Sequence, residues 1–129
     1  MAAITVTYLD THVVVWLYSG EVQLLSKPAR KQIERYDVII LSAVLLELQY
    51  LYEIKRIKQR PEPIAEALHE DIGLTVCNLP FPEVIRRAML LNWIRDPFDR
   101  LIVAQAFARD APLISKDEQI RKHLAKAVW

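Results

Sequence analysis

Short apolar segments alternate along the chain with longer segments whose apolar residues recur at helical spacing. Residues 38–41 are all apolar, which is typical of a strand covered on both faces. Residues 4–9 alternate β-branched and polar side chains before Asp10, the period expected of a half-buried strand. The pattern predicts strands at residues 4–9, 38–41, 74–79 and 112–115, with a fifth candidate at 127–129.

Capping residues divide the rest of the chain into helices. Ser26 and Ser42 are suitable N-caps. The segment 12–19 is open to two interpretations, because its valines favour a strand whereas a capping residue before it and Gly20 after it favour a helix. We predict a helix there. The predicted helices cover residues 12–19, 26–35, 42–58, 64–70, 82–93, 96–109 and 117–124.

This alternation of strands and helices predicts an α/β fold. A parallel sheet of four to five strands would carry helices on both faces, which gives three layers. The 129 residues are enough for one buried core, so we expect a single domain over residues 1–129.

Composition narrows the class of protein. The formal charge of +1 predicts no general affinity for nucleic acid, so any such binding needs a local patch. Cys77 is the only cysteine, which excludes an internal disulfide, and its neighbours predict a buried strand. The first residues do not resemble a signal peptide, and the longest apolar stretch, 38–52, is too short to span a bilayer. We therefore expect a cytoplasmic protein without membrane association.

Two carboxylates three residues apart open the predicted apolar helix at 96–109. Asp96 fits the N-cap, Pro97 the first helical position and Asp99 the third. Capping and the helix dipole are sufficient to explain both acids, so a functional role needs further support.

Three more acids occupy positions that a parallel sheet would bring to one edge, beyond the carboxyl ends of its strands. Asp10 closes the first predicted strand and Asp117 follows the fourth. Both also have structural explanations: Asp10 as a helix cap, and Asp117 in the first turn of a helix capped by Ser115. Glu47 is harder to explain, because its helical neighbours are apolar and no lysine or arginine stands three or four residues away.

Burying an unpaired carboxylate costs several kcal/mol, so Glu47 must find a distant partner, be protonated or bind a metal ion. Four carboxylates without a histidine or cysteine cluster suit Mg²⁺ or Mn²⁺. A divalent cation also relieves the repulsion among converging acids. The corresponding chemistry is phosphodiester hydrolysis by metal-activated water.

The acids lie in four motifs, at residues 8–12 (YLDTH), 42–48 (SAVLLEL), 96–106 (DPFDRLIVAQA) and 113–117 (LISKD). These motifs, in this order, resemble those of PIN domains, and more narrowly of VapC-type toxins of toxin–antitoxin pairs. The resemblance covers essentially the whole chain. It implies a three-layer PIN-like fold and an Mg²⁺- or Mn²⁺-dependent endoribonuclease that cleaves RNA, forms a homodimer and is silenced by a cognate antitoxin.

Carried over position by position, the resemblance implies functional roles for seven residues. The acids that bind the metal ion and catalyse hydrolysis would be Asp10, Glu47, Asp99 and Asp117. The residues that support this site would be Asp96, Thr11 and Ser115. Ser115 stands where threonine or asparagine is frequent in the family, so its individual role is open.

Basic residues provide weaker candidates. Lys55 and Arg56 would contact RNA or the antitoxin, although a solvated helix end explains them equally well. Arg100 and Lys116 adjoin the presumed ligands and would offset phosphate charge, or else pair with a neighbouring acid. His12 is more typical of a structural hydrogen-bonding residue than of a general base.

Two other functions remain open from the sequence. One is phosphoryl transfer through an aspartyl phosphate, as in haloacid-dehalogenase or receiver folds, but the haloacid-dehalogenase motif needs an aspartate where His12 stands. The other is a PIN module that binds RNA or protein without catalysis. Trp16 fits core or dimer packing, or a groove for an antitoxin helix.

Overall fold

Five parallel strands form one sheet in the order β3-β2-β1-β4-β5 in the computed structural model, which describes residues 6–129. The first predicted strand is confirmed from Val6 onward, and residues 4 and 5 lie outside the described residues. The strands are β1 (Val6–Leu9), β2 (Asp37–Ile40), β3 (Thr75–Val76), β4 (Leu113–Ile114) and β5 (Ala127–Val128).

Helices flank the sheet, and the predicted three-layer α/β architecture with a parallel sheet is confirmed. Helix α3 packs against α4 and α6, α6 packs against α5, and α2 and α7 contact β5. No helix within residues 6–129 has the length and apolar character needed to cross a membrane. The helices are α1 (Thr11–Tyr18), α2 (Lys27–Arg35), α3 (Ser42–Glu53), α4 (Pro61–Ile72), α5 (Phe81–Ala88), α6 (Pro97–Arg109) and α7 (Glu118–His123), with a short 3₁₀ helix at Val22–Leu24.

The core is built where the central strands meet the inner faces of the helices. Leu9, Ile40 and Ile114 contribute from three neighbouring strands, and Val13 and Leu48 contribute from α1 and α3; all five are fully buried. Burial of each such side chain stabilises the fold by roughly 1.5–3 kcal/mol. The core therefore fixes the helices that carry the acids relative to the strand ends.

The helix containing Glu47 is shorter than predicted. It ends at Glu53 rather than at residue 58, because Lys55 adopts a left-handed conformation with φ of 64° and takes the chain out of the helix. The following helix begins earlier than predicted, at Pro61, since proline is tolerated in a first turn where no amide donor is needed. The predicted cap at Ser42 is wrong: Leu41 occupies the N-cap, without a side-chain hydrogen bond.

Two further boundaries differ from the prediction. Strand β3 is limited to two residues at the edge of the sheet, and both are exposed rather than buried, whereas the predicted burial of Cys77 is confirmed. Helix α5 ends at Ala88 instead of residue 93, because tight turns reverse the chain so that α6 packs on α5.

The order of the strands defines where a site forms. From β1 the chain proceeds to β2 and β3 on one side of the sheet, and then returns to β4 and β5 on the other. In open α/β sheets, ligands bind at such a switch point, beyond the carboxyl ends of the strands. Asp10 directly follows β1 and Ser115 directly follows β4, so the two residues meet at this point.

Candidate active site

Asp10 is a buried carboxylate at the switch point, with 3% of its surface exposed. It is the N-cap of α1, and its Oδ1 accepts a hydrogen bond from the Thr11 backbone N–H at 2.8 Å. Its Oδ2 accepts a second hydrogen bond from the Ser115 hydroxyl at 2.6 Å. Both explanations of Asp10 therefore coexist, since it caps a helix and faces the crevice between β1 and β4.

His12 connects Asp10 to the loop after β4. The Lys116 backbone N–H donates to His12 Nε2 at 3.2 Å, which requires that this nitrogen carry no proton. In a neutral ring the proton is then on Nδ1, which lies 3.5 Å from Asp10 Oδ2. Because the Nε2 lone pair accepts this hydrogen bond, it is not available to take a proton from a water molecule. His12 is therefore a structural hydrogen-bonding residue, as expected.

Glu47 finds its partner far away in sequence. It lies half-buried on α3, less buried than expected, and accepts a hydrogen bond from the Thr11 hydroxyl. Burial raises the pKa of Glu47, the Thr11 hydrogen bond opposes that effect, and the charges of Asp10 and Asp96 raise the pKa further. The carboxylate is thus held in place by Thr11, and no lysine or arginine within residues 6–129 forms an ion pair with it.

The start of α6 is as predicted. Asp96 is the N-cap and accepts from the Asp99 backbone N–H at 3.0 Å, with Pro97 in the first helical position. The pKa of Asp99 is raised to about 7, first by burial and then by the surrounding carboxylates. The acids whose charges act on it are Asp10, Asp96, Glu47 and Asp117.

Asp117 takes the role that was predicted for Ser115. It is the N-cap of α7, and its Oδ1 accepts from the Ile120 backbone N–H at 2.9 Å. The Ser115 hydroxyl is instead engaged at the strand end, where it donates to Asp10 and accepts from the Asp117 N–H at 3.1 Å. The predicted first-turn position of Asp117 is therefore wrong, since α7 begins one residue after it.

Two cavities adjoin the acids. Three carboxylates, those of Asp10, Glu47 and Asp99, line a cavity of about 300 Å³. Asp99 also lines a smaller cavity of about 150 Å³, together with Asp96 and Asp117. The structure thus brings three of the four predicted acids to one cavity and places Asp117 on the other side of Asp99.

Comparison with known proteins identifies the fold family. Residues 7–125 match the sequence profile of the PIN domain. The chain belongs to the PIN-domain family. Ribonuclease VapC22 of Mycobacterium tuberculosis is 34% identical over 128 residues, with 92% of each chain covered.

Solved structures agree with this PIN assignment at the level of fold. VapBC2 from Rickettsia felis, bound to a DNA fragment from its promoter, aligns with a TM-score of 0.62 at 17% identity over 97% of this chain and 100% of that chain. A toxin–antitoxin complex from Klebsiella pneumoniae aligns with a TM-score of 0.67 at 17% identity over 95% and 96%. The predicted resemblance is confirmed, and the haloacid-dehalogenase and receiver alternatives are set aside.

The donor atoms of this PIN domain fit a hard divalent cation. The acids offer carboxylate oxygens, and the repulsion among them is relieved by a cation. Among residues 6–129, no three acidic, histidine or cysteine side chains lie close enough together to hold an ion by themselves. An Mg²⁺ ion here would take part of its coordination from water, as is usual for this ion.

The basic candidates are distributed differently from the prediction. Arg100 Nε donates to the Ile94 carbonyl at 2.5 Å, and no acid within residues 6–129 pairs with it. Lys55 and Arg56 lie on the loop after α3, not on a helix end, and line cavities of about 510 and 550 Å³ respectively. Lys116 extends over the Trp16 ring.

The position of Trp16 beside the acids was not predicted, since the sequence indicated core or dimer packing, or a groove for an antitoxin helix. Trp16 lines the cavity of Asp10, Glu47 and Asp99. The available signal was its position four residues after His12, which places both rings on one face of α1.

Proposed function

We propose that this PIN domain is an Mg²⁺- or Mn²⁺-dependent endoribonuclease and the toxin of a type II toxin–antitoxin pair, acting in the cytoplasm. The observation that carries the proposal is the convergence of Asp10, Glu47 and Asp99 on one cavity at the switch point. Burial and the charges of the neighbouring acids raise the pKa of Asp99 to about 7, and a bound cation would relieve this repulsion. The names of the relatives, a ribonuclease and a toxin–antitoxin complex, point the same way.

In this proposal the side chains of the site fix the position of the ion relative to the RNA phosphate that is cleaved. The carboxylates that would hold the ion, in part through its bound waters, are those of Asp10, Glu47, Asp99 and Asp117, with Asp117 approaching from the smaller cavity beside Asp99. The Thr11 hydroxyl orients Glu47, and the Ser115 hydroxyl orients Asp10, each by donating a hydrogen bond to the carboxylate. When bound, the ion lowers the pKa of water and stabilises charge on the leaving oxygen. Lys116 is exposed beside the cavity and is available to a phosphate.

The direct test is RNA cleavage by the purified chain in Mg²⁺ or Mn²⁺. We expect cleavage that EDTA abolishes, and Glu47→Gln should slow it by about 100-fold or more, because one charged ligand is lost. Glu53→Gln is the matched control, since Glu53 is an exposed acid on the same helix that contacts Gln49. Cleavage that persists in EDTA, or in Glu47→Gln at the rate of the unaltered chain, would contradict the proposal. The product of an adjacent reading frame, added as antitoxin, should suppress the reaction.

We also propose that two copies associate through α3. Leu46 and Tyr50 on this helix and Ile54 at its C-cap recur every four residues and are 62%, 53% and 44% exposed. A contiguous apolar stripe of this kind is typical of an interface. In a dimer with two-fold symmetry, the stripe of one copy would pack against the same stripe of the other copy. Leu46→Glu should convert a dimer to a monomer in light scattering, whereas Phe107→Glu, at an exposed apolar residue on α6, should not. A dimer that survives Leu46→Glu excludes this surface.

A further inference from the structure

The cavity that contains the carboxylates has an aromatic wall. Trp16 lines this cavity of about 300 Å³ together with three acids, and its side chain is half-buried, so part of the indole remains accessible. The acids are Asp10, Glu47 and Asp99. Trp16 therefore offers an aromatic surface beside the acids that would hold the proposed cation.

Neighbouring side chains hold the indole in place. His12 meets it edge-on, with ring centroids 4.9 Å apart and planes at 62°. Trp129 packs against it in a tilted arrangement at 5.9 Å. Because these contacts already order Trp16, a ligand that stacks on it does not have to supply that ordering free energy.

A positively charged side chain, that of Lys116, lies beside Trp16. Lys116 Nζ is 5.9 Å from the centroid of the Trp16 ring, and the lysine is exposed. A point charge on a flexible side chain is well suited to a phosphate group, and an aromatic ring is suited to a base. A base that stacks on Trp16 would displace Lys116 from over the ring, and the exposed lysine would then contact the phosphate of the same nucleotide.

The size of the cavity favours a nucleotide over a docked helix. A helix is about 10–12 Å across with its side chains, so it would cover the mouth of this open cavity without entering it, whereas a nucleotide would enter. About 300 Å³ is instead at the lower end of small-molecule sites. Proteins that bind unpaired RNA commonly stack splayed-out bases on aromatic side chains.

We propose that Trp16 is the stacking platform for an unpaired base of the RNA, adjacent to the phosphate that the proposed cation would hold at the carboxylates, with Lys116 contacting the backbone of the same nucleotide. The inference rests on the proposed ribonuclease function, which supplies the class of substrate. It adds a requirement for an unstacked base at this position, so that the site selects single-stranded RNA.

The test compares the binding of two oligomers of equal length, an oligoadenylate and an abasic ribose-phosphate chain. Binding is measured by fluorescence anisotropy in Ca²⁺, a hard cation that carboxylate oxygens bind, and the length of each oligomer is checked after the titration to confirm that it has not been cleaved. The unaltered protein should prefer oligoadenylate. Trp16→Leu should weaken oligoadenylate binding by about 5- to 150-fold, the range for loss of one stacked base, and leave abasic binding unchanged. The affinity of the Trp16→Phe variant for oligoadenylate should lie between those of the unaltered protein and of Trp16→Leu, because phenylalanine keeps a smaller ring.

The controls separate stacking from folding and from catalysis. Phe107 is an exposed aromatic residue near the C-terminal end of α6, whereas Asp99 lies in the first turn of this helix. The Phe107→Leu variant should therefore bind both oligomers as the unaltered protein does. The preference of the unaltered protein is measured without any substitution, so a folding defect in Trp16→Leu cannot hide the answer. Equal binding of the two oligomers, or an equal loss of both in Trp16→Leu, overturns the proposal. Failure of the ribonuclease proposal would appear separately, as intact RNA in the Mg²⁺ assay.

Discussion

Replacing Asp99 by asparagine is expected to slow RNA cleavage by at least about 100-fold, the typical cost of removing one preorganised electrostatic group. Asp99 lies between the two acidic cavities and is subject to the charges of all the other acids of the site. Asparagine has nearly the same shape but cannot supply a charged oxygen to a cation. Initial rates of cleavage in saturating Mn²⁺ are the measurement.

Asp96→Asn is the matched comparison, because Asp96 differs from Asp99 in role and not in residue type. It is exposed, and its carboxylate accepts the Asp99 backbone N–H at 3.0 Å. Asparagine caps helices about as well as aspartate, so cleavage should fall by less than about tenfold. Equal losses in the two variants would mean that Asp96 is itself a ligand and that capping does not account for it.

The positions of the acids were predictable because they follow from local rules. A strand that ends at Asp10 and a helix start of the form Asp-Pro-x-Asp both have strong signatures, and both are present as predicted. The parallel order of the sheet then brings the ends of β1 and β4 together. These steps need no knowledge of distant contacts, which is why the sequence was sufficient.

What could not be predicted depends on competition between distant groups. Ser115 has the side chain of an N-cap, but its hydroxyl donates to Asp10, 105 residues away, and Asp117 caps the helix instead. Likewise, the left-handed backbone conformation of Lys55 ends α3 early, and this could not be predicted because lysine, unlike glycine or asparagine, does not favour that conformation. Trp16 also packs against Trp129, 113 residues away in sequence, a contact that the sequence of α1 alone does not reveal.

The folded protein without metal ions is expected to lose stability as the pH rises from 5 to 8. The pKa of Asp99 in the folded state, about 7, lies above its ordinary value of 3.8. An acid whose pKa is raised by folding favours the folded state fully below its ordinary pKa, and this contribution disappears as the pH rises through the folded-state value. Burial also raises the pKa of Glu47, which acts in the same direction.

The size of the effect follows from the two pKa values of Asp99. The folded-state pKa is about 7 and the ordinary value is 3.8, so the loss between pH 5 and about 7 is at most about 3 kcal/mol. Partial exposure of the carboxylate to solvent reduces this to the order of 2 kcal/mol. Urea denaturation in EDTA at a series of pH values measures it directly.

Metal ions and the Asp99→Asn variant should both remove this loss of stability. An ion bound only by the folded state stabilises it by about 2.7 kcal/mol at a concentration 100 times the dissociation constant, and it binds best when the acids are ionised. Asp99→Asn should therefore be more stable than the unaltered chain at pH 8 in EDTA, although it is inactive, which separates loss of catalysis from unfolding. Asp71→Asn, the same change at an exposed residue of α4, should leave the pH dependence intact. Stability that increases from pH 5 to 8 in EDTA would show that the acids do not repel one another in the folded protein, and the argument for a cation at this site would fail with it.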